Sequence, residues 1–482
     1  MAARTEPPRT SAASPPPAYP LPLARSPTMN TNRPTCFCSL LRWSSAMRLL
    51  IVALIAMAVA WIAPQPAAAQ IEFDRAPINY STTETKDPVA LLQKKLDAGE
   101  ATLEYDERHG YLPAVLDALG ISPTSQMLVF SKTSFQLRRI SPRTPRAIYF
   151  NDNAYIGWVQ HGDVVEVSAV DPEQGGVFYT LSQEETERPR FIRDRGNCLT
   201  CHASSRTQGV PGHFVRSVYS AASGQPHFGA GTFNTDQTSP LKERWGGWYV
   251  TGTHGDQRHM GNVISKDRDR PELLDLEAGA NVTDLSRHTR IGAYLTRHSD
   301  ITALMVLEHQ ATMHNLITRA SYETRVVKHD TAVMNRALQR PADHVSDLSR
   351  RRIRNASEKL VKYMLFSGEA EISAPIEGTS SFAEEFSAEG PHDSQGRSLR
   401  QLDMKTRLFK YPCSYLIYSE SFEALPEVSK HQVYARLWEI LQGEDTSEDF
   451  AHLSATDRTA IFEILRDTKP DLAAFWKSMA SE

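Results

Sequence analysis

Cys198-Leu199-Thr200-Cys201-His202 sets two of the chain's five cysteines two residues apart, with a histidine directly behind the second. On a helical turn, side chains three apart project from one side. Both thiols can then reach one planar ligand, and the imidazole that follows is carried beneath it. C-x-x-C-H is the spacing at which two thiols form thioethers with the vinyl groups of a porphyrin and the histidine supplies an axial imidazole to its iron. A chain of this composition would carry such a run by chance roughly 0.002 times, so the spacing is specific. Three other chemistries compete for the same residues. A zinc site needs about four ligands, and only Cys413 remains beyond the leader to help. A dithiol redox motif would follow a strand and open a helix, and it gives the adjacent histidine no role. A disulfide across so short a loop restrains almost nothing.

In this pentapeptide, and in an export leader, the chain resembles the c-type cytochromes; the resemblance does not extend over the rest of its length. It implies one covalent haem c, with Cys198 and Cys201 as thioether ligands and His202 as axial iron ligand. It also implies loading by the c-type haem maturation machinery and a redox partner protein. In compact members of that class the second iron ligand is a methionine downstream. Met260, in "THGDQRHMGNV", lies 58 residues after His202 and is the first candidate; His254 and His259 flank it and would give a bis-histidine iron. His309, Met313 and His314 in "LEHQATMHN" form a more remote set, and His213, His227 or no ligand complete the choices. Two protein ligands suit the transfer of single electrons. An open position suits a haem enzyme acting on a small oxidant, or a gas or redox sensor.

Around the motif the chain is locally basic. Arg188, Arg190, Arg193, Arg195, Arg206 and Arg216 all lie within twenty residues of it. They suit haem propionates, a docking rim for a redox partner, or a solvated face. Trp245, Trp248 and Tyr249 could wall a haem pocket or serve as buried strand aromatics. Cys413 reads as a buried, inert thiol.

The first 69 residues differ from the rest. Residues 1–46 are rich in Pro, Ala, Ser and Thr, as disordered or mis-started leaders are. Residues 47–69, "MRLLIVALIAMAVAWIAPQPAAA", read as a signal peptide with cleavage before Gln70 and Met47 or Met29 as alternative starts. Export to the periplasm or beyond follows, and membrane attachment only if the leader is kept as an anchor. Without these residues the Lys and Arg fall from 53 to 47 and the Asp and Glu from 57 to 56, a net charge near −9. Such an acidic chain is a poor ligand for nucleic acid. No phosphate-binding GxxxxGK[ST] loop and no HExxH zinc motif is present.

The elements that must position the motif follow from periodicity. Residues 70–125 read as a helical N-terminal segment, with Asp87-Pro88 starting a helix and Gly99 ending it, and a second helix over 113–119. Residues 126–282 form the β-rich region that carries the motif. Its core is an antiparallel meander over 126–181, punctuated by "NDN", "QHGD" and "DPEQGG". The Arg-rich run before the motif is expected to be a short helix. Two paired strands and "GGWYVTGT" follow. Residues 283–482 read as mainly helical, and the fold class is α+β.

Overall fold

The computed structural model describes residues 72–481. The leader readings for 1–46 and 47–69 lie outside the described residues. Two short N-terminal helices come first, α1 (Pro88–Ala98) and α2 (Leu112–Ala118). The Asp87 carboxylate accepts from the amides of Val89 and Ala90, Pro88 occupies the first turn, and Gly99 closes α1 at φ 73°. This is the pairing of caps expected at the two ends of a helix.

The meander then runs through β1 (Met127–Val129), β2 (Arg146–Phe150), β3 (Ala154–Trp158), β4 (Val164–Asp171) and β5 (Gly175–Ser182). A sixth strand, β6 (Phe191–Arg193), adds to its edge. The Arg-rich run is therefore a strand where a helix was expected. Thr180 pairs with Ile192, and Arg193 turns inward to donate to the Tyr80 and Thr83 carbonyls at 2.9 Å each. The motif helix α3 (Leu199–His202) follows, then the hairpin β7 (Val215–Val218) and β8 (Thr232–Thr235). Next come β9 (Trp248–Tyr249) and β10 (Gly252–Thr253). β9 returns to β1, so the large sheet has the order β6-β5-β4-β3-β2-β1-β9, antiparallel throughout.

Helices resume at α4 (Ile301–Ala337), which runs 37 residues without Gly or Pro and is capped by Asp300. It turns back into α5 (Asp347–Met364). The short β11 (Glu377–Gly378) pairs with β10 and precedes α6 (Phe382–Ala388). The C-terminal group comprises α7 (Glu420–Glu423), α8 (Glu427–Leu441), α9 (Ala455–Thr468) and α10 (Pro470–Met479). The architecture is α+β, with the sheet in the middle and the helices behind it.

Strand alternation decides what each sheet face meets. Ile156, Trp158, Val165, Val167, Tyr179 and Leu181 point to the side covered by α1 and α2. On the opposite face Phe150, Tyr155 and Val170 pack into the core built on α4 and the C-terminal helices. The β-rich and helical regions therefore share one core. That face is covered unevenly. Its row across the strands, Ile192–Thr180–Glu166–Gly157–Ile148, carries Ile192 at 60% exposure and Thr180, Glu166 and Ile148 half-buried. Among the described residues no helix is long and apolar enough to cross a membrane.

Candidate functional site

The motif stands beside this thinly covered stretch of sheet. Its helix is one turn long, and Leu199 alone is buried, in a small core with Phe178, Val210 and Tyr322. Cys198 is half-buried and Cys201 exposed, and neither forms a disulfide. The turn is started by Asp194, whose carboxylate accepts from the amides of Gly196 at 3.0 Å and Cys198 at 2.9 Å. Burial raises the pKa of this carboxyl, but those amide bonds outweigh it, and the acid ends below its ordinary range. Burial first, and then the negative Asp194, push the Cys198 thiol up to about 12.

His202 is held from Gly212. The Gly212 amide donates to the His202 carbonyl at 2.8 Å, and the His202 Nδ1 lies 2.9 Å from the Gly212 carbonyl oxygen. A carbonyl only accepts, so Nδ1 carries the proton and the neutral ring keeps its lone pair at Nε2. Burial lowers the pKa of this imidazole, which favours that neutral form. Ring contacts to Phe178 at 4.8 Å and Phe214 at 5.1 Å fix its plane.

Gly212 is in turn held by α4. The Asn315 side chain accepts from the His213 amide at 2.9 Å and donates to the His213 carbonyl at 2.6 Å. A Cβ on Gly212 would lie 1.9 Å from Asn315 Oδ1, so this approach requires glycine. The loop between motif and glycine is braced by Ser204 and Thr207, which cap each other reciprocally, and by the Thr207 hydroxyl donating to the Val210 carbonyl at 2.8 Å.

Charge near the motif is mixed. Arg146 pairs with Glu166 at 2.9 Å on the open sheet face, and Glu166 also accepts from Ser134 at 2.7 Å. Beside that serine Phe135 stands 70% exposed. Arg188, Arg195 and Arg206 are exposed, whereas Arg193 serves the N-terminal segment. Arg190 reaches Asp97, and Arg216 donates to the Thr232 hydroxyl at 2.9 Å.

The candidates for a second iron ligand sit elsewhere. Met260 is buried, and its sulfur takes a contact from the Ser217 hydroxyl at 3.6 Å. The His254 Nε2 accepts from the Asn281 amide, and the His259 Nδ1 from the Gly261 amide, at 3.0 Å each. Their rings meet at 4.7 Å, tilted by 59°, and His259 also packs edge-on against Trp245. Among the described residues, the ring neighbours of His202 are Phe178, His213 and Phe214, so neither His254 nor His259 makes a ring contact with it. His309 bonds Gln237 and Ser414 through its two nitrogens, while His314 reaches the Asp152 carbonyl. His227 bonds the Ser265 carbonyl. His213, with its ring 6.5 Å from that of His202, lies on the interior side among Tyr155, Phe178 and Ser168. Trp248 and Tyr249 are buried strand aromatics, and Trp245 is buried in the turn that leads into them; Trp248 donates to the Arg216 carbonyl. Cys413 is fully buried.

The arrangement matches what haem c attachment asks of its protein. Two unlinked thiols lie on one turn, and an imidazole has Nδ1 tied to a backbone carbonyl, as iron-ligating histidines usually do. A dithiol redox site gains one feature, because β6 does precede the motif helix. It loses another, because the attacking cysteine of such a site has a lowered pKa, whereas that of Cys198 is raised. Among the described residues no group of three or more His, Cys, Asp or Glu side chains is arranged to hold a metal ion without such a cofactor. Sequence reasoning missed Gly212 and Asn315. The only local hint was the Pro-Gly-His run ten residues after the motif. Compared with known protein families, with curated proteins and with solved structures, the chain matches none.

Proposed function

We propose that the chain is an exported mono-haem c-type cytochrome that passes single electrons to or from a partner protein. Cys198 and Cys201 would hold the porphyrin by thioethers, and the His202 Nε2 would ligate its iron. A covalently held haem supplies one-electron redox chemistry where a dissociable haem would be lost. The observation that carries this reading is the bond from His202 Nδ1 to Gly212, which leaves the other nitrogen as a ligand. The open sheet face beside the motif, apolar at Ile192 and Ile148, supports it. Exposed Arg188, Arg195 and Arg206 suit an acidic redox partner.

A second reading is a haem enzyme for a small oxidant, or a sensor. It is favoured by the placement of Met260, His254 and His259, each tied up away from His202. The test is an absorption spectrum of protein made in a host with c-type haem maturation, recorded oxidised, reduced, and reduced under carbon monoxide. Haem that stays on the chain through acid extraction is expected. Haem-free protein would overturn both readings. A low-spin spectrum unmoved by carbon monoxide marks an electron carrier, and immediate carbon monoxide uptake marks an open position.

A further inference from the structure

Far along the chain from the motif, the α4–α5 hairpin ends in a tip of unusual composition. After Val327 the rest of α4 buries a single side chain, Asn335, which donates to the His344 carbonyl at 2.8 Å and so fixes the turn. The Thr331 and Ser349 hydroxyls meet at 3.1 Å and hold the start of α5 against it. On this tip Val333, Met334, Leu338 and Leu348 are 44%, 53%, 51% and 62% exposed. Residues 328–354 carry seven Lys and Arg against three Asp, in a chain whose overall charge is −4. Arg352 pairs with Glu323, and Arg350 lies 4.0 Å from Asp347; Arg336, Arg340, Arg351 and Arg354 point to solvent.

We propose that this tip seats on an anionic lipid bilayer. Flexible apolar side chains at the end of a projecting hairpin, set in a basic surround, can enter the headgroup layer while the arginines meet lipid phosphates. A basic tip on an acidic protein also orients the molecule at such a surface, because the rest of the chain is repelled by it. The Arg-to-phosphate match selects anionic lipid as the occupant. An acidic protein partner would ask for the same charge but not for scattered, protruding apolar residues.

The test is cosedimentation of the purified protein with vesicles of phosphatidylcholine and phosphatidylglycerol (3:1), and with phosphatidylcholine alone, at 0.15 M salt. Binding to the anionic vesicles at least tenfold stronger than to the neutral ones is expected. Met334→Ser/Leu338→Ser/Leu348→Ser and, separately, Arg336→Gln/Arg340→Gln/Arg351→Gln should each weaken it at least fivefold. Val428→Ser, an exposed residue on α8, should leave it unchanged. Circular dichroism verifies that each variant is folded. Equal binding to both vesicle types, no binding, or full binding by either tip variant would overturn the proposal, as would stronger retention on polyglutamate than on the anionic vesicles.

Discussion

The Nδ1 of His202 lies 2.9 Å from the carbonyl oxygen of Gly212, ten residues further along the chain. One hydrogen bond thereby sets the tautomer of the ring, its rotation and the basicity of its second nitrogen. The carbonyl is in place because Asn315 bonds both the amide and the carbonyl of the next residue, His213.

Asn315→Ala should therefore act twice. It leaves the buried amide and carbonyl of His213 without partners, at about 1–3 kcal/mol for each orphaned group, which urea unfolding will read. It should also shift the reduction potential of the haem-loaded protein, because the imidazole loses its fixed acceptor. A loss of stability with an unchanged potential would reduce Asn315 to a structural residue. Gly212→Ala should resemble it in both measurements.

In protein made without haem maturation, the three thiols of residues 72–481 should differ in reactivity. Cys201 is exposed and should alkylate quickly at pH 7.5. Cys198, with its pKa pushed up to about 12, and the fully buried Cys413 should lag well behind. Peptide mass spectrometry after a timed iodoacetamide pulse measures the order. Rapid labelling of Cys198 would revive the dithiol reading.

Acid should destabilise the fold through its buried histidines. Burial lowers the pKa of His259 and His309 to about 3 and that of His314 to about 4. Each is neutral when folded and takes a proton on unfolding below about 6.5. Stability from these groups is full above 6.5 and falls as the pH drops towards 4. Burial raises Glu308 and Glu369 to about 7, and they act oppositely, favouring the folded state at lower pH between about 4.5 and 7. Three histidines against two acids leave a net loss on acidification. The urea midpoint should be lower at pH 5.5 than at 7.5, and Glu369→Gln should steepen that difference.

Arg244 and Glu308 form a buried pair at 2.9 Å between the β9 approach and α4. Arg244→Met alone should cost about 3–5 kcal/mol, because it leaves the buried Glu308 carboxyl without its partner. Adding Glu308→Leu should recover most of that loss. A double variant as unstable as the single one would mean that the arginine's bonds to the Ser239 and Gln237 carbonyls matter more. Chemical denaturation of the three proteins decides between them.

Much of the scaffold could be read from short-range pattern. The caps of α1, the turns of the meander and the uninterrupted run of α4 are all signalled within a few residues, and each stands where periodicity put it. β6 was hidden because an edge strand of three residues needs little apolar content, and its arginine turns inward to backbone carbonyls. The proposal of haem attachment rests on the spacing of the motif, which is legible in the sequence. The parts that orient the motif are not, because Gly212 and Asn315 meet only through folding. Methionine and histidine near the motif in sequence gave no measure of nearness in space, as Met260 and His254 show.

The clamp on Gly212 comes from a side chain 102 residues beyond the peptide it grips. A chain that ended before α4 would keep the whole C-x-x-C-H signature and lose the means of aiming its imidazole. During synthesis the two cysteines therefore emerge long before their histidine is oriented. A group attached through those cysteines would have its imidazole aimed only once α4 has docked.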